Sequence, residues 1–184
     1  MSKNYLAYSL LVFATLCWSG NFIIGKFAYL FEVPPLTLNF LRWVSVWFIL
    51  IPFTYKEIFN NLSYIKKNWL VISFMGIITI STFNSVVYFA LTYTQVINAV
   101  LVLAAIPAVT IVISAILKVD RTNIFQLFGL LLSIMGICSI ITNADINKII
   151  NLNFNKGDLW MLICVFSWSI YSTLLKKHNF KISQ

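Results

Sequence analysis

Charged side chains are scarce in this sequence. Only 10% of its 184 residues carry a charge, whereas a soluble domain has about a quarter of its residues charged. So few charges cannot cover the surface of a globule in water, and hydrophobic residues make up 60% of the chain. The composition therefore excludes an ordinary soluble domain and favours a protein that lies within the lipid bilayer.

Acidic residues and histidine are scarcer still. There are only five acids, and all of them fall in predicted loops or at the ends of apolar runs: Glu32, Glu57, Asp120, Asp145 and Asp158. The one histidine, His178, lies in a basic segment. No carboxylate pair is available inside the membrane for acid–base catalysis, and no motif of a metalloprotease, phosphate-binding loop or nucleophile elbow occurs. These absences argue against an enzyme, and also against an exporter of lipophilic cations, which would be expected to embed an acid.

Cysteine is also rare. The three cysteines, Cys17, Cys138 and Cys164, lie singly inside apolar runs with no histidine nearby. Cysteines in such surroundings act as small hydrophobic residues. The sequence therefore predicts no disulfide framework, no metal site and no bound cofactor.

Long apolar runs are what the sequence does contain. A helix needs about 20 apolar residues to cross a bilayer, and six runs are long enough: Leu6–Phe27, Pro34–Thr54, Trp69–Thr92, Val96–Leu117, Ile124–Thr142 and Leu159–Leu175. The first run is too long for a signal peptide and no small-residue cleavage pattern follows it. The sequence thus predicts an all-α, polytopic helical membrane protein with six transmembrane helices.

The basic residues predict how these spans are oriented. The net charge is +8, and lysines and arginines are scattered between the apolar runs, which suits contact with anionic lipid and gives no dense patch for nucleic acid. With Arg42 set aside because it lies inside a span, nine fall on the side of the amino terminus and three on the other. Loops rich in lysine and arginine stay inside the cell, so we expect a cytoplasmic amino terminus.

An internal repeat is visible at a displacement of 150 residues. Trp18-Ser19, followed by Lys26, returns as Trp168-Ser169, followed by Lys176. With five spans in the first copy, an odd number, the second copy enters the membrane in the opposite orientation. Inverted repeats of this kind are how many membrane transporters are built.

Arg42 is the sharpest candidate for a functional residue. It lies eight residues after Pro34, about 12 Å along a helix and so near mid-span. Arginine at that depth costs several kcal/mol and normally faces a polar cavity or partner. Its guanidinium suits two-pronged binding of a carboxylate or phosphate. The alternative is a structural arginine that bonds backbone carbonyl groups or reaches the outer interface.

Other polar and aromatic residues occur inside the predicted spans. Asn39 lies three residues before Arg42, Asn21 lies three residues after Trp18, and Asn84 and Tyr88 are spaced i, i+4 in span three. Amides in lipid must find partners and therefore point inward. We predict that these residues line a polar cavity with aromatic walls. The alternative is that each holds neighbouring helices together.

Spans four and five carry residues that affect helix shape and packing. Pro107 stands midway along span four, where it removes a backbone hydrogen bond and is expected to kink the helix. Such a kink can line a transport site or be passive. Gly129, Ser133 and Gly136 form a stripe of small residues along span five, which allows close helix packing within the chain or between chains.

Several motifs together resemble the EamA-type drug/metabolite transporters. They are Cys17-Trp18-Ser19-Gly20-Asn21-Phe22, Pro34-Pro35, Leu41-Arg42-Trp43, Ala90-Leu91-Thr92-Tyr93-Thr94, Asn98-Ala99, Pro107, Asp120-Arg121, Gln126-Leu127-Phe128-Gly129, Gly136 and Gly157-Asp158-Leu159. The order and spacing of these motifs match the family along essentially the whole chain. One mild departure is Asp120, where the family commonly has glutamate.

The resemblance implies a ten-helix transporter built from two inverted five-helix repeats, of which this chain is an incomplete version. Residues 1–145 would be the first repeat, 146–157 the loop between repeats, and 158–184 the first helix of the second. We therefore expect coding sequence for about 115 more residues and four more spans beyond Gln184. The family's fifth helix often contributes to dimer contacts, which suits the small-residue stripe.

The resemblance also implies a function. We expect an inner-membrane transporter that exports small metabolites such as amino acids or related carboxylates by alternating access, here as a fragment or truncated form. Arg42 would hold the anionic group, and Trp18, Asn21, Asn39, Asn84 and Tyr88 would line the cavity. The alternative is a six-span membrane scaffold or assembly subunit that transports nothing. An Arg42 that faces a wet central cleft would favour transport.

Overall fold

The computed structural model describes residues 2–120, 123–141, 155–178 and 180. The boundary predicted at residue 145 and most of the predicted inter-repeat loop lie outside these residues. Nine α-helices and one π-helical segment form the described part: α1 Ser2–Leu30, α2 Pro35–Asn60, α3 Leu62–Lys67, α4 Trp69–Gly76, the π-helical segment Ile77–Phe83, α5 Asn84–Ala90, α6 Val96–Leu103, α7 Ile106–Ile116, α8 Ile124–Ile141 and α9 Lys156–His178.

Five stretches of the described residues are helical, long and apolar enough to cross a membrane. They are Tyr5–Leu30, Pro35–Asn60, Trp69–Ala90, Val96–Ile116 and Lys156–His178. The prediction of an all-α polytopic membrane protein is confirmed, although the number of spans differs by one. The fifth predicted span coincides with α8, of which Ile124–Gly136 counts as a shorter apolar helix within the described residues.

Spans three and four form the antiparallel hairpin that their short connection predicts. The first arm runs through α4, the π-helical segment and α5, and the second through α6 and α7. The second arm is interrupted at Ala104 and Ala105, and Pro107 stands in the first turn of α7. Proline suits this place because its missing N–H would have no helical partner there. The predicted disturbance at Pro107 is therefore a break between two helices.

Helix α9 packs against this hairpin, in contact with the π-helical segment, α5, α6 and α7. Its side chains at the contact are fully buried, among them Met161, Cys164 and Val165. In lipid, where apolar burial offers little gain, close packing and hydrogen bonds between helices hold such contacts. Ser169 Oγ accordingly donates to the Ile106 carbonyl at 3.2 Å, and α9 forms the centre of the bundle.

The amino end of α9 is fixed to the end of α5. Asn155 and Asp158 cap the helix reciprocally, since the backbone N–H of Asp158 donates to Asn155 Oδ1 at 2.9 Å and that of Asn155 donates to Asp158 Oδ2 at 3.2 Å. Thr94 Oγ1 donates to Asp158 Oδ1 at 3.0 Å. Gly157 allows this approach, because a Cβ there would lie 2.8 Å from the carbonyl oxygen of Ala90.

Helices α1 and α2 lie on the outside of the bundle, and few of their residues are buried. Lys26 nevertheless ties α1 to the hairpin. Its Nζ donates to the carbonyl oxygens of Leu91 at 2.7 Å and Thr94 at 3.0 Å, at the carboxyl end of α5. A cation is stabilised there by the helix dipole and by carbonyl groups without a helical partner. This contact positions α1 beside the residues of the candidate site.

Candidate functional site

A cavity of about 640 Å³ lies between α1, α2, the π-helical segment and α9. Its lining is largely aromatic and apolar, with a few polar groups, which is the usual character of a small-molecule site. The lining residues are Cys17, Trp18, Asn21, Arg42, Trp43, Thr79, Ile80, Phe83, Asn84, Trp168 and Tyr171.

The guanidinium of Arg42 is the only charged group in that lining. Nη1 donates to Asn21 Oδ1 and, at 2.5 Å, to the hydroxyl of Tyr88. Nη2 donates to Asn84 Oδ1 at 2.5 Å. The Tyr88 hydroxyl in turn donates to Asn21 Oδ1 at 2.5 Å. Two helices therefore supply the acceptors, α1 through Asn21 and α5 of span three through Asn84 and Tyr88, while α2 supplies the arginine.

All three acceptors are neutral, so the positive charge of Arg42 is oriented but not neutralised. Among the described residues the one ion pair is Lys176 with Asp120, which is exposed and elsewhere. Guanidinium carries five N–H groups, and three hydrogen bonds use three of them. The Nε–H and one N–H of Nη2 therefore have no acceptor in the described part of the chain. The arrangement can accept an anion from the cavity in a charge-assisted, two-pronged geometry.

Local sequence accounts for the way these side chains meet. Asn84 and Tyr88 are four residues apart and so share one face of a helix. Tyr88 is buried beneath Arg42, and its ring lies against Gly25 of α1. A Cβ at Gly25 would lie 2.7 Å from Tyr88 Cδ1 and 2.9 Å from Cε1. The glycine is therefore what lets α1 approach closely enough for Asn21 to join the network.

The aromatic walls bring the two copies of the repeat together. The rings of Trp18 and Trp168, 150 residues apart in sequence, have centroids 5.8 Å apart. Trp168 also packs on Phe83 at 4.8 Å and on Tyr171 at 5.6 Å. Aromatic pairs at these distances attract one another. They form a continuous aromatic surface of tilted rings beside the arginine, against which a planar or apolar part of a ligand can pack.

The structure places one predicted cavity residue elsewhere. Asn39 is buried on a different side of α2, where its Nδ2 donates to the Ile80 carbonyl at 3.0 Å and to Ser85 Oγ at 2.8 Å. It is absent from the lining of the central cavity. The cavity is lined by Trp18, Asn21, Arg42 and Asn84. Tyr88 is not in the lining, but its hydroxyl accepts a hydrogen bond from Arg42.

The residues predicted to shape spans four and five also lie away from the cavity. Pro107 is exposed, and the break that it follows packs on α9 through the Ile106 carbonyl. Gly129, Ser133 and Gly136 are exposed along α8, and no heavy atom lies within 4 Å of a Cβ built at either glycine. The stripe thus makes no close contact in the described part of this chain. A contact between chains stays a prediction.

Several cavity residues escaped the sequence analysis. Thr79 and Ile80 belong to the π-helical segment, which has no local sequence signature. Trp43 follows Arg42 directly, and its ring lies 5.2 Å from the guanidinium carbon, a cation–π distance. Tyr171 lies at the position of Asn21 in the second copy of the repeat. The displacement of 150 residues could therefore have identified Tyr171 and Trp168 as cavity residues.

Comparison with known proteins agrees with this picture. The family model for the EamA-like transporter family matches residues 5–142. The chain is 29% identical over 112 residues to the uncharacterized transporter YyaM of Bacillus subtilis, covering 61% of this chain and 37% of that protein. It is 26% identical over 179 residues to an uncharacterized transporter of Archaeoglobus fulgidus, covering 96% of this chain and 58% of that protein.

The chain thus spans less than two thirds of the length of either relative. No solved structure is significantly similar to it. The family match covers three quarters of the sequence, including every helix from α1 to α8, and the resemblance seen in the motifs is confirmed. On this match over most of its length, the chain belongs to the EamA-like transporter family.

Proposed function

We propose that this chain forms the anion-binding part of a transporter that exports small metabolites of the carboxylate class, such as amino acids or related acids. Arg42 would bind the carboxylate, and Trp18, Asn21, Asn84 and Tyr88 would shape the site around it. The proposed route is alternating access across the inner membrane, with the amino terminus in the cytoplasm. The rest of the cavity would come from a second repeat like the one that α9 begins.

The observation that carries the proposal is the environment of Arg42. Its charge lies inside a membrane span, is oriented by three neutral oxygens and faces an open cavity. A purely structural arginine at this depth would be expected to have every N–H satisfied or an acid beside it, because burying unpaired charge is costly. An oriented but uncompensated guanidinium is what an anion site requires.

The same observation separates transport from the scaffold alternative. A scaffold needs complementary, well-packed helix surfaces and has no use for a cavity with polar groups between its spans. Here the cavity is lined by Arg42 together with two asparagines and three tryptophans, Trp18, Trp43 and Trp168. This favours a ligand site over an assembly surface.

The decisive experiment is transport in membrane vesicles by the complete transporter, with Arg42→Lys and Arg42→Ala. Lysine keeps the charge but loses the planar, two-pronged donor. Loss of one charged hydrogen bond is worth roughly 1.5–3 kcal/mol, or about a ten- to hundredfold loss of affinity. We expect Arg42→Lys to reduce carboxylate transport by that factor and Arg42→Ala to reduce it further.

Substrates are offered as matched pairs, each carboxylate with its neutral amide, for example benzoate with benzamide. Transport of the amides should be insensitive to both substitutions. Protein levels are measured in parallel, and Lys56→Ala serves as a control that removes another, exposed cation of α2 outside the cavity. Unaltered carboxylate transport in both Arg42 variants, or losses that merely follow lost protein, would return Arg42 to a structural role.

A further inference from the structure

The π-helical segment Ile77–Phe83 forms one wall of the cavity. Thr79, Ile80 and Phe83 of this segment are among the lining residues. A π-helix, with its i→i+5 hydrogen bonds, is rare and occurs mostly as a short insertion in α-helices at functional sites. Contacts from neighbouring helices explain why the segment is π-helical here.

Side chains from three elements hold the backbone carbonyl groups of this segment. Ser167 Oγ of α9 donates to the Ile78 carbonyl at 2.9 Å. Asn84 Nδ2 of α5 donates to the Thr79 carbonyl at 2.7 Å. Asn39 Nδ2 of α2 donates to the Ile80 carbonyl at 3.0 Å. These bonds go to three consecutive carbonyl groups, so the π-helical geometry is stabilised by tertiary contacts.

Asn84 differs from the other two donors because it also contacts the arginine. Its Oδ1 accepts from Arg42 Nη2 at 2.5 Å while its Nδ2 holds the Thr79 carbonyl. The two amide atoms lie in one rigid plane, so the carboxamide cannot turn away from Arg42 without moving Nδ2. One side chain therefore connects the anion site to the backbone of the cavity wall.

An anion that binds the free Nε–H and Nη2 N–H of Arg42 shares Nη2 with this amide. A carboxylate oxygen forms a shorter and stronger bond to guanidinium than a neutral amide oxygen does. Occupancy therefore draws Nη2 toward the anion and away from Asn84 Oδ1, which favours rotation of the carboxamide and loss of the bond from Nδ2 to the Thr79 carbonyl. A ligand shifts an equilibrium only through such a difference in its interactions with two states.

We propose that Asn84 is a positioning residue that couples anion binding at Arg42 to the register of the segment Ile77–Phe83. With the cavity empty, Asn84 holds the segment π-helical. With an anion bound, the segment relaxes toward an α-helix. A register shift of one residue turns side chains by about 100° around the helix axis. Thr79 and Phe83 would then no longer present the same surfaces to the cavity. The inference rests on the proposed function of Arg42.

The key test variant is Asn84→Asp, which is nearly isosteric. Its carboxylate would give Arg42 a permanent anionic partner, and it has no N–H to hold the Thr79 carbonyl. The ligand-free variant should therefore resemble the anion-bound wild type. The matched control is Ser167→Ala, which removes a hydrogen bond to the same segment without any link to Arg42.

The measurement is hydrogen–deuterium exchange of peptides that cover Ile77–Phe83, with the purified full chain in lipid nanodiscs and benzoate as the probe. Benzoate combines a carboxylate with a ring that suits the aromatic walls. Gain of one backbone hydrogen bond slows exchange roughly fivefold. We expect that slowing in wild type with benzoate and in Asn84→Asp without it, and no further response of Asn84→Asp to benzoate. Ser167→Ala should keep the benzoate response.

The outcomes separate the two proposals. Equal exchange in ligand-free Asn84→Asp and ligand-free wild type overturns the coupling, whatever benzoate does. So does a benzoate response that persists in Asn84→Asp. If the carboxylates and amides tested on Arg42→Ala show no dependence on the arginine, the proposed function itself fails. If Asn84→Asp is too unstable to purify, Asn84→Ala replaces it, and loss of the benzoate response with binding retained supports the coupling, while a retained response overturns it.

Discussion

Substitution of Gly157 by alanine tests how the central helix is seated on the bundle. The added Cβ would lie 2.7 Å from Thr94 Cβ, 2.8 Å from the Ala90 carbonyl oxygen and 3.0 Å from Asn155 Oδ1. The Ala90 oxygen is part of the backbone and already accepts from the N–H groups of Tyr93 and Thr94 at 2.9 and 3.0 Å. It cannot move aside without breaking the turn, so the start of α9 must shift instead.

The size of the effect follows from two opposing contributions. Overpacking of a close contact costs roughly 1–3 kcal/mol, whereas replacing glycine by alanine in a helix contributes up to about 1 kcal/mol of stability. The net expectation is a loss of about 1–2 kcal/mol in the free energy of unfolding. For a chain of this length each kcal/mol corresponds to roughly 2–4 °C in Tm, so the Tm should fall by roughly 2–8 °C.

The assay is thermal unfolding in detergent, followed by tryptophan fluorescence. Gly129→Ala is the matched control, because no heavy atom lies within 4 Å of a Cβ built there. It should leave the Tm unchanged or raise it slightly. If Gly157→Ala were as stable as Gly129→Ala, the close seating of α9 on α5 would be refuted.

Two further predictions concern the site and the topology. Gly25→Ala should press on the Tyr88 ring, which lies 2.7 and 2.9 Å from the new Cβ, and so shift Arg42, whose Nη1 donates to the Tyr88 hydroxyl. Loss of one hydrogen bond between Arg42 and the carboxylate should then weaken benzoate binding roughly tenfold. Gly20→Ala, with no heavy atom within 4 Å, should bind benzoate normally, and equal affinities in the two variants would contradict the described packing. Cysteines introduced at Asn61 and Asn151 should differ in labelling by an impermeant maleimide on intact cells, with position 151 labelled and position 61 protected. Equal labelling, or labelling of position 61 alone, would rule out the proposed orientation.

The helices and the cluster around Arg42 could be predicted from sequence because they follow from simple physical demands. Apolar runs longer than the bilayer is thick must be helical, since lipid offers no partners for backbone groups. Polar side chains in such helices must then find one another. Arg42, Asn21, Asn84 and Tyr88 do so, although only Asn84 and Tyr88 are neighbours along one helix.

The π-helical segment could not be predicted in this way. Its register depends on Ser167, Asn39 and Asn84, which lie on three different elements, and nothing in residues 77–83 alone favours it. The prediction that Asn39 lines the cavity fails for a related reason. Three residues of helix correspond to about 300° of rotation, so Asn39 lies about 60° around the axis from Arg42. That difference is enough to direct it to Ile80 and away from the cavity.

The central position of α9 has a consequence for the order in which the protein assembles. Chains emerge from the ribosome amino end first, at about 5–20 residues per second. The hairpin of spans three and four ends at Ile116, whereas the first buried side chain within the apolar part of α9 is Met161, 45 residues later. The hairpin therefore waits roughly 2–9 s in the membrane before its main partner is synthesised. During that time the carbonyl groups of Ile78 and Ile106 lack the hydroxyl donors Ser167 and Ser169, so the hairpin is without these stabilising hydrogen bonds until α9 arrives.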